Sequence, residues 1–189
     1  MSKQKKTKKQ NKHTSVSPYR WVVQVFFLSV SLSAVLSLLS GSALEGAGLL
    51  AALAVLLAFI LLGILFDIVG VAVTAADERP FHSMAAHKER GAAEALMLLR
   101  NAGRVSSVCN DVVGDICGIV SGTTAAVIVT TLQRTVGLHA VALSVGVTSL
   151  ISGLTIGGKA LGKHFALRRS TDVVFTAGKL IRLFRRGRS

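Results

Sequence analysis

Leu49 to Ala75 reads LLAALAVLLAFILLGILFDIVGVAVTA, 27 residues with one charge, Asp67, and no proline. A run of about 18 or more apolar residues with few charges is a candidate membrane-spanning helix, so this stretch places the chain in a bilayer. Three more such runs flank it: Trp21 to Leu39, Val105 to Leu132 and Val136 to Ile156, of 19, 28 and 21 residues. At 1.5 Å per residue the second and third runs would be about 40 Å long, against a hydrocarbon slab of roughly 30 Å, so they must tilt or project beyond it. The expected fold is an all-α integral membrane protein with four transmembrane helices and amphipathic helices outside the bilayer.

Composition agrees with this reading. Apolar residues make up 51% of the 189 and charged ones 16%, with mean hydropathy +0.58, whereas a soluble domain averages roughly 45 to 50% and about 25%. Disorder over most of the length is excluded by the apolar content. A disulfide scaffold is excluded because the two cysteines, Cys109 and Cys117, would lie roughly 12 Å apart on one helix.

The formal charge of +13 comes from 22 Lys and Arg against 9 Asp and Glu, and the basic residues are confined to particular segments. Seven precede or open the first span, from Lys3 to Arg20. Five lie between the second and third, from Arg79 to Arg104, and nine follow the fourth, from Lys159 to Arg188. Only Arg134 falls on the other side. The positive-inside rule then puts both termini and the 76–104 segment in the cytoplasm of a multi-pass cell-membrane protein. Tyr19 and Trp21 suit an interfacial aromatic belt. A basic start, an apolar stretch and Ser40-Gly41-Ser42-Ala43 also resemble a cleavable signal peptide, for which a 19-residue apolar stretch is long.

Four segments follow: a basic tail over 1–20, an N-terminal span over 21–44, a membrane domain over 49–163, and a basic amphipathic helix over 164–189. Within the third of these, Pro80 and Asn101-Ala102-Gly103 bracket an amphipathic cytoplasmic helix over 80–103, its apolar face carried by Ala85, Ala92, Ala95, Leu96 and Leu99. His82 and His87 are five apart and share a face poorly, too few and too misplaced for zinc. In the last segment Val173, Val174, Ala177, Leu180, Ile181 and Phe184 follow a helical period, while Lys179, Arg182, Arg185 and Arg186 take other positions. That is the pattern of a helix lying on anionic lipid. Nucleic acid is not the expected partner, since no aromatic interleaving or recognisable module accompanies the charge.

Chemistry is concentrated in the third run, which contains Cys109-Asn110-Asp111-Val112-Val113-Gly114-Asp115. Asp111 and Asp115 are four apart and point to one side of a helix. Counted from the cytoplasmic ends, Asp67, Asp111 and Asp115 lie at depths of roughly 12, 9 and 15 Å, so the three carboxylates can meet at one level. No Lys or Arg lies within the second, third or fourth run. A carboxylate at mid-bilayer costs about 2.5 to 3.5 kcal/mol on insertion scales, so a compensating cation or proton is expected. Oxygen ligands favour a hard cation, magnesium before zinc, and Asn110, Thr74, Ser107 and Ser121 can add neutral oxygens. Two other readings stand beside this one: the acids sit near the interface, hydrated or paired with Arg79 or Arg104, or they are protonated. Gly114, Gly118 and Gly122, and later Gly153, Gly157, Gly158 and Gly162, form small-residue patterns suited to close helix packing.

The order of these pieces over about residues 49 to 185 resembles the transmembrane domain of the CNNM (cyclin M)/CorB/CorC family of magnesium transport proteins. Thr74-Ala75-Ala76-Asp77 is similar to that family's Ser-Ala-x-Glu motif, and Leu98-Leu99-Arg100-Asn101-Ala102-Gly103-Arg104 to its Leu-Leu-x-Asn-x-x-Arg. Gly114-Asp115 corresponds to the Gly-Asn-Asn start, and Gly158-Lys159-Ala160-Leu161-Gly162-Lys163 to the closing Pro-Lys-x-x-Gly-Lys. The resemblance implies a homodimer with a magnesium site formed by Thr74, Asn110, Asp111, Gly114 and Asp115, to which the depth argument adds Asp67. The family's CBS and CorC-type cytoplasmic domains are not expected within these 189 residues. The expected function is mediation or regulation of divalent cation transport, with a non-transporting membrane scaffold as the alternative. No grouping of catalytic residues points to an enzyme.

Overall fold

A computed structural model describes residues 18–44, 48–136 and 140–186, and every element in them is helical. The chain forms α1 (Pro18–Leu44), α2 (Leu49–Ala75), α3 (Arg79–Ala86), α4 (Ala92–Arg100) and α5 (Ala102–Ser107). A π-helical turn, Val108–Gly114, leads into α6 (Asp115–Val136), followed by α7 (Ala140–Arg168) and α8 (Ser170–Arg186). Four helices are long and apolar enough to cross a membrane, so this is an all-α membrane protein. Most of the basic tail expected over 1–20 lies outside the described residues, and the stretch Ser40-Gly41-Ser42-Ala43 lies within α1.

α2 is the helix around which the others pack. It lies against α5, the π turn, α6, α7 and α8, and small residues set the closest approaches. Gly63 faces Cys117 and Gly70 faces Asn110, an antiparallel register with the third span. Gly158 and Gly162 of α7 meet Ile64 and Ile68, a parallel register. In each case a Cβ would stand too close to its neighbour, so glycine permits the contact. Two apolar clusters mark the bundle's ends. Ala52, Leu56, Ile60 and Ile128 pack at one; Ala72, Val73, Phe81, Leu98, Leu99, Ala166 and Val174 at the other, where the basic residues also gather. α1 rides on the outside, held through Val25, Leu32 and Leu36 against Val112, Ile116 and Val120. At its far end the Ser40 and Thr124 hydroxyls are 3.4 Å apart and buried.

The structure changes several element boundaries. In place of one helix over 80–103 the chain forms α3 and α4, separated by a turn in which Lys88 and Gly91 adopt φ values of 55° and 98°. The left-handed backbone at Gly91 suits a residue without a Cβ, and there α8 crosses: a Cβ on Gly178 would stand 2.5 Å from the Gly91 carbonyl oxygen. The third span begins at Ala102, not Val105. α7 continues twelve residues beyond Ile156 to Arg168, and the helix breaks at Arg169, so the boundary placed at 163/164 falls inside it. Extension of α7 brings Lys159 and Lys163 inside a helix that also spans the membrane.

Candidate cation site

The third span is interrupted by seven π-helical residues, Val108–Gly114. A π turn takes i→i+5 hydrogen bonds and is frequent at functional sites. One extra residue rotates the faces beyond it by about 100° relative to an unbroken α-helix. The polar residues of Cys109 to Asp115 therefore distribute over two sides of the span.

Asp111 and Asp115 point toward α1. Together with Ser29, Ser33 and Ser37, they line a groove of about 430 Å³ whose floor includes Val112 and Ile116. Both acids are exposed to this groove. Ser107 Oγ donates a 2.9 Å hydrogen bond to Asp111 Oδ2. With α5 starting at Ala102, they lie about 14 and 20 Å from the basic end of the span, deeper than the sequence count. Pairing with Arg79 or Arg104 does not occur. Arg79 stands 4.0 Å from Asp77, and the Arg104 guanidinium lies 5.2 Å from the Trp21 ring centroid. Among the described residues no basic group forms an ion pair with Asp111, Asp115 or Asp67.

Asn110 and Gly114 occupy the other side. The Asn110 carboxamide packs on the Gly70 backbone; its Nδ2 donates to Ser106 Oγ at 3.3 Å, while Oδ1 is buried without a partner. Gly114 is buried beside Lys159, whose Nζ lies 3.7 Å from the position a Cβ would take. Lys159 also lies within electrostatic reach of the Cys117 thiol. The expectation that no cation shares the acids' depth is thereby corrected.

Asp67 is half-buried on α2 and falls by helical spacing on the stripe of Gly63 and Gly70, away from the groove. Thr74 is exposed near the end of α2 and donates to the Val71 carbonyl at 2.8 Å. The three carboxylates share a level but not a face: among the described residues no group of three His, Cys, Asp or Glu side chains is placed to hold a metal ion. Ser121 is buried with an unpartnered hydroxyl and does not line the groove.

The expected glycine face is also only partly used. Gly158 and Gly162 pack on α2, but nothing stands within 4 Å of a Cβ placed at Gly118, Gly122, Gly153 or Gly157. Two features escaped the sequence reading. Ser29, Ser33 and Ser37 are four apart on α1, a helical spacing that a search for polar stripes inside apolar runs would have found. Lys159 was legible only as part of a tail, because the apolar run ends before the helix does. No family model, curated protein or solved structure matches the chain.

Proposed function

We propose that this protein mediates or regulates the movement of a divalent cation, magnesium by the chemistry of the ligands, through the groove between α1 and the third span. The observation that carries the proposal is the pair Asp111 and Asp115, unneutralised within a membrane span and faced by Ser29, Ser33 and Ser37 across a groove of about 430 Å³. All these donors are hard oxygens. Magnesium dehydrates reluctantly and is commonly held by one or two carboxylates with several waters retained. Two acids and a stripe of hydroxyls fit that coordination without a third carboxylate. The likeness in motif order to the CNNM/CorC membrane domain supports the same reading.

The π turn supplies a place for motion. Its hydrogen bonds differ from those of the helix around it, and a shift between π and α registers would rotate Asp111 relative to Asp115, a local change suited to alternating access. With the positive-inside rule, the end carrying α3, α4 and α8 faces the cytoplasm of the cell membrane. Magnesium flux into proteoliposomes tests the site: Asp111→Asn and Asp115→Asn should each lower it at least tenfold while purified protein remains helical. Wild-type flux in both variants would remove the groove from the mechanism.

The second reading, a non-transporting scaffold, is favoured by the open backbone at Gly118, Gly122, Gly153 and Gly157, against which a second copy of the chain can pack. No magnesium-dependent thermal shift, together with a stable homodimer, would favour it over transport.

A further inference from the structure

A second cavity is distinct from the groove. It measures about 830 Å³ and lies between α2 and α8, with Leu98 of α4 and Val105 of α5 also in its lining. Its walls include Leu62, Leu65 and Val69 on α2 and Leu180, Ile181 and Phe184 on α8; its polar lining residues are Asp172 and Thr176, both on α8. Leu65, Leu180 and Phe184 are 57%, 55% and 74% exposed, so the chain leaves this apolar surface uncovered.

We infer that this cavity holds one acyl chain of an anionic phospholipid from the leaflet at the basic end of the bundle. Depth is the first argument. Leu62 lies thirteen residues before the end of α2 at Ala75, about 20 Å along the helix, while Asp172 and Thr176 sit on the helix that follows the end of α7. The cavity thus runs from the interface into the membrane over a length that takes an acyl chain, whose reach is half of the roughly 30 Å hydrocarbon slab. Lining is the second argument, since side chains on the outward face of a membrane-spanning helix have lipid as their solvent. Charge at the mouth is the third. Asp172 is paired with Arg169 at 3.2 Å, and Lys179 lies 4.2 Å from the Phe175 ring centroid. Arg182 and Arg185 remain exposed on the same helix without an ion-pair partner among the described residues. Each basic residue near a membrane surface adds on the order of 1 kcal/mol toward anionic lipid. α8 therefore acts as an eave under which one lipid is retained by its chain and selected by its headgroup.

A single tryptophan in the whole chain, Trp21, makes the test direct. In a Trp21→Phe background, Leu180→Trp places the sole indole at the cavity, and quenching is measured in vesicles containing phospholipid brominated on its acyl chains. Half-maximal quenching should need at least a fivefold lower mole fraction of brominated phosphatidylglycerol than of brominated phosphatidylcholine. Arg182→Gln with Arg185→Gln should shrink that difference at least threefold. Leu65→Trp, on the facing wall, is a second reporter should the first disturb α8. Equal quenching by both lipids in proportion to their abundance means annular lipid only and overturns the inference. Absence of quenching means the cavity is covered by protein and overturns it equally.

Discussion

The Asn110 carboxamide lies directly on the backbone of Gly70, with Oδ1 buried and unpartnered. That contact joins α2 to the π turn next to the two intramembrane acids, and it exists only because residue 70 has no Cβ. Gly70→Ala should therefore cost about 1 to 3 kcal/mol, as overpacking of a close contact does. Asn110→Ala in the same chain removes the obstructing group and should restore most of the loss. Thermal unfolding of the two single variants and the double variant measures this; additive losses would mean that the residues do not meet.

Gly178 makes the second indispensable approach, facing the Gly91 carbonyl and the start of α4. The obstacle there is backbone, which cannot swing aside. Gly178→Ala should undock α8, and trypsin should cut at Arg168 and Arg169 several times faster than in the parent protein. Unchanged digestion would show that α8 tolerates a shift away from α4.

Gly118 is the contrasting case, with open space where its Cβ would be. Within one chain Gly118→Ala should be neutral or stabilising by up to about 1 kcal/mol, the difference in helix propensity. A fall in the oligomeric fraction without loss of helicity would instead show that a second copy packs on this face and would strengthen the scaffold reading.

Lys159 stands beside Gly114, the neighbour of Asp115 in the chain, and does not line the groove that Asp111 and Asp115 share. At a separation of about 10 Å, a unit charge at an effective dielectric near 20 acts on a divalent cation with about 3 kcal/mol, on the order of a hundredfold in affinity. Lys159→Met should accordingly tighten magnesium binding by isothermal titration, and Lys159→Arg should not. Equal affinities in all three proteins would separate Lys159 from the groove. The exposed pair Arg79 and Asp77, 92% and 64% accessible, serves as the control: Arg79→Ala should alter stability by less than about 1 kcal/mol.

Apolar run length and the distribution of Lys and Arg made four spans legible in the sequence, because a bilayer selects for length and hydropathy regardless of what each helix touches. The intramembrane acids were legible too, since charge inside such a run stands out. Their partners were not. A steady 3.6-residue period places Asp67, Asp111 and Asp115 at one depth and says nothing of which face each presents. The π turn at Val108–Gly114, the serines of α1 opposite Asp111 and Asp115, and the contact of Asn110 with Gly70 arise only when the helices pack. Lys159 makes the same point: hydropathy ended the fourth run at Ile156, but hydrogen bonding carries α7 on to Arg168 and packing against α2 turns that lysine toward Gly114. Sequence alone thus determined that this chain crosses a membrane four times and carries acids within it. Tertiary structure decided that two of those acids face a serine-lined groove while the third does not, because side-chain direction depends on helix register and contact rather than on depth.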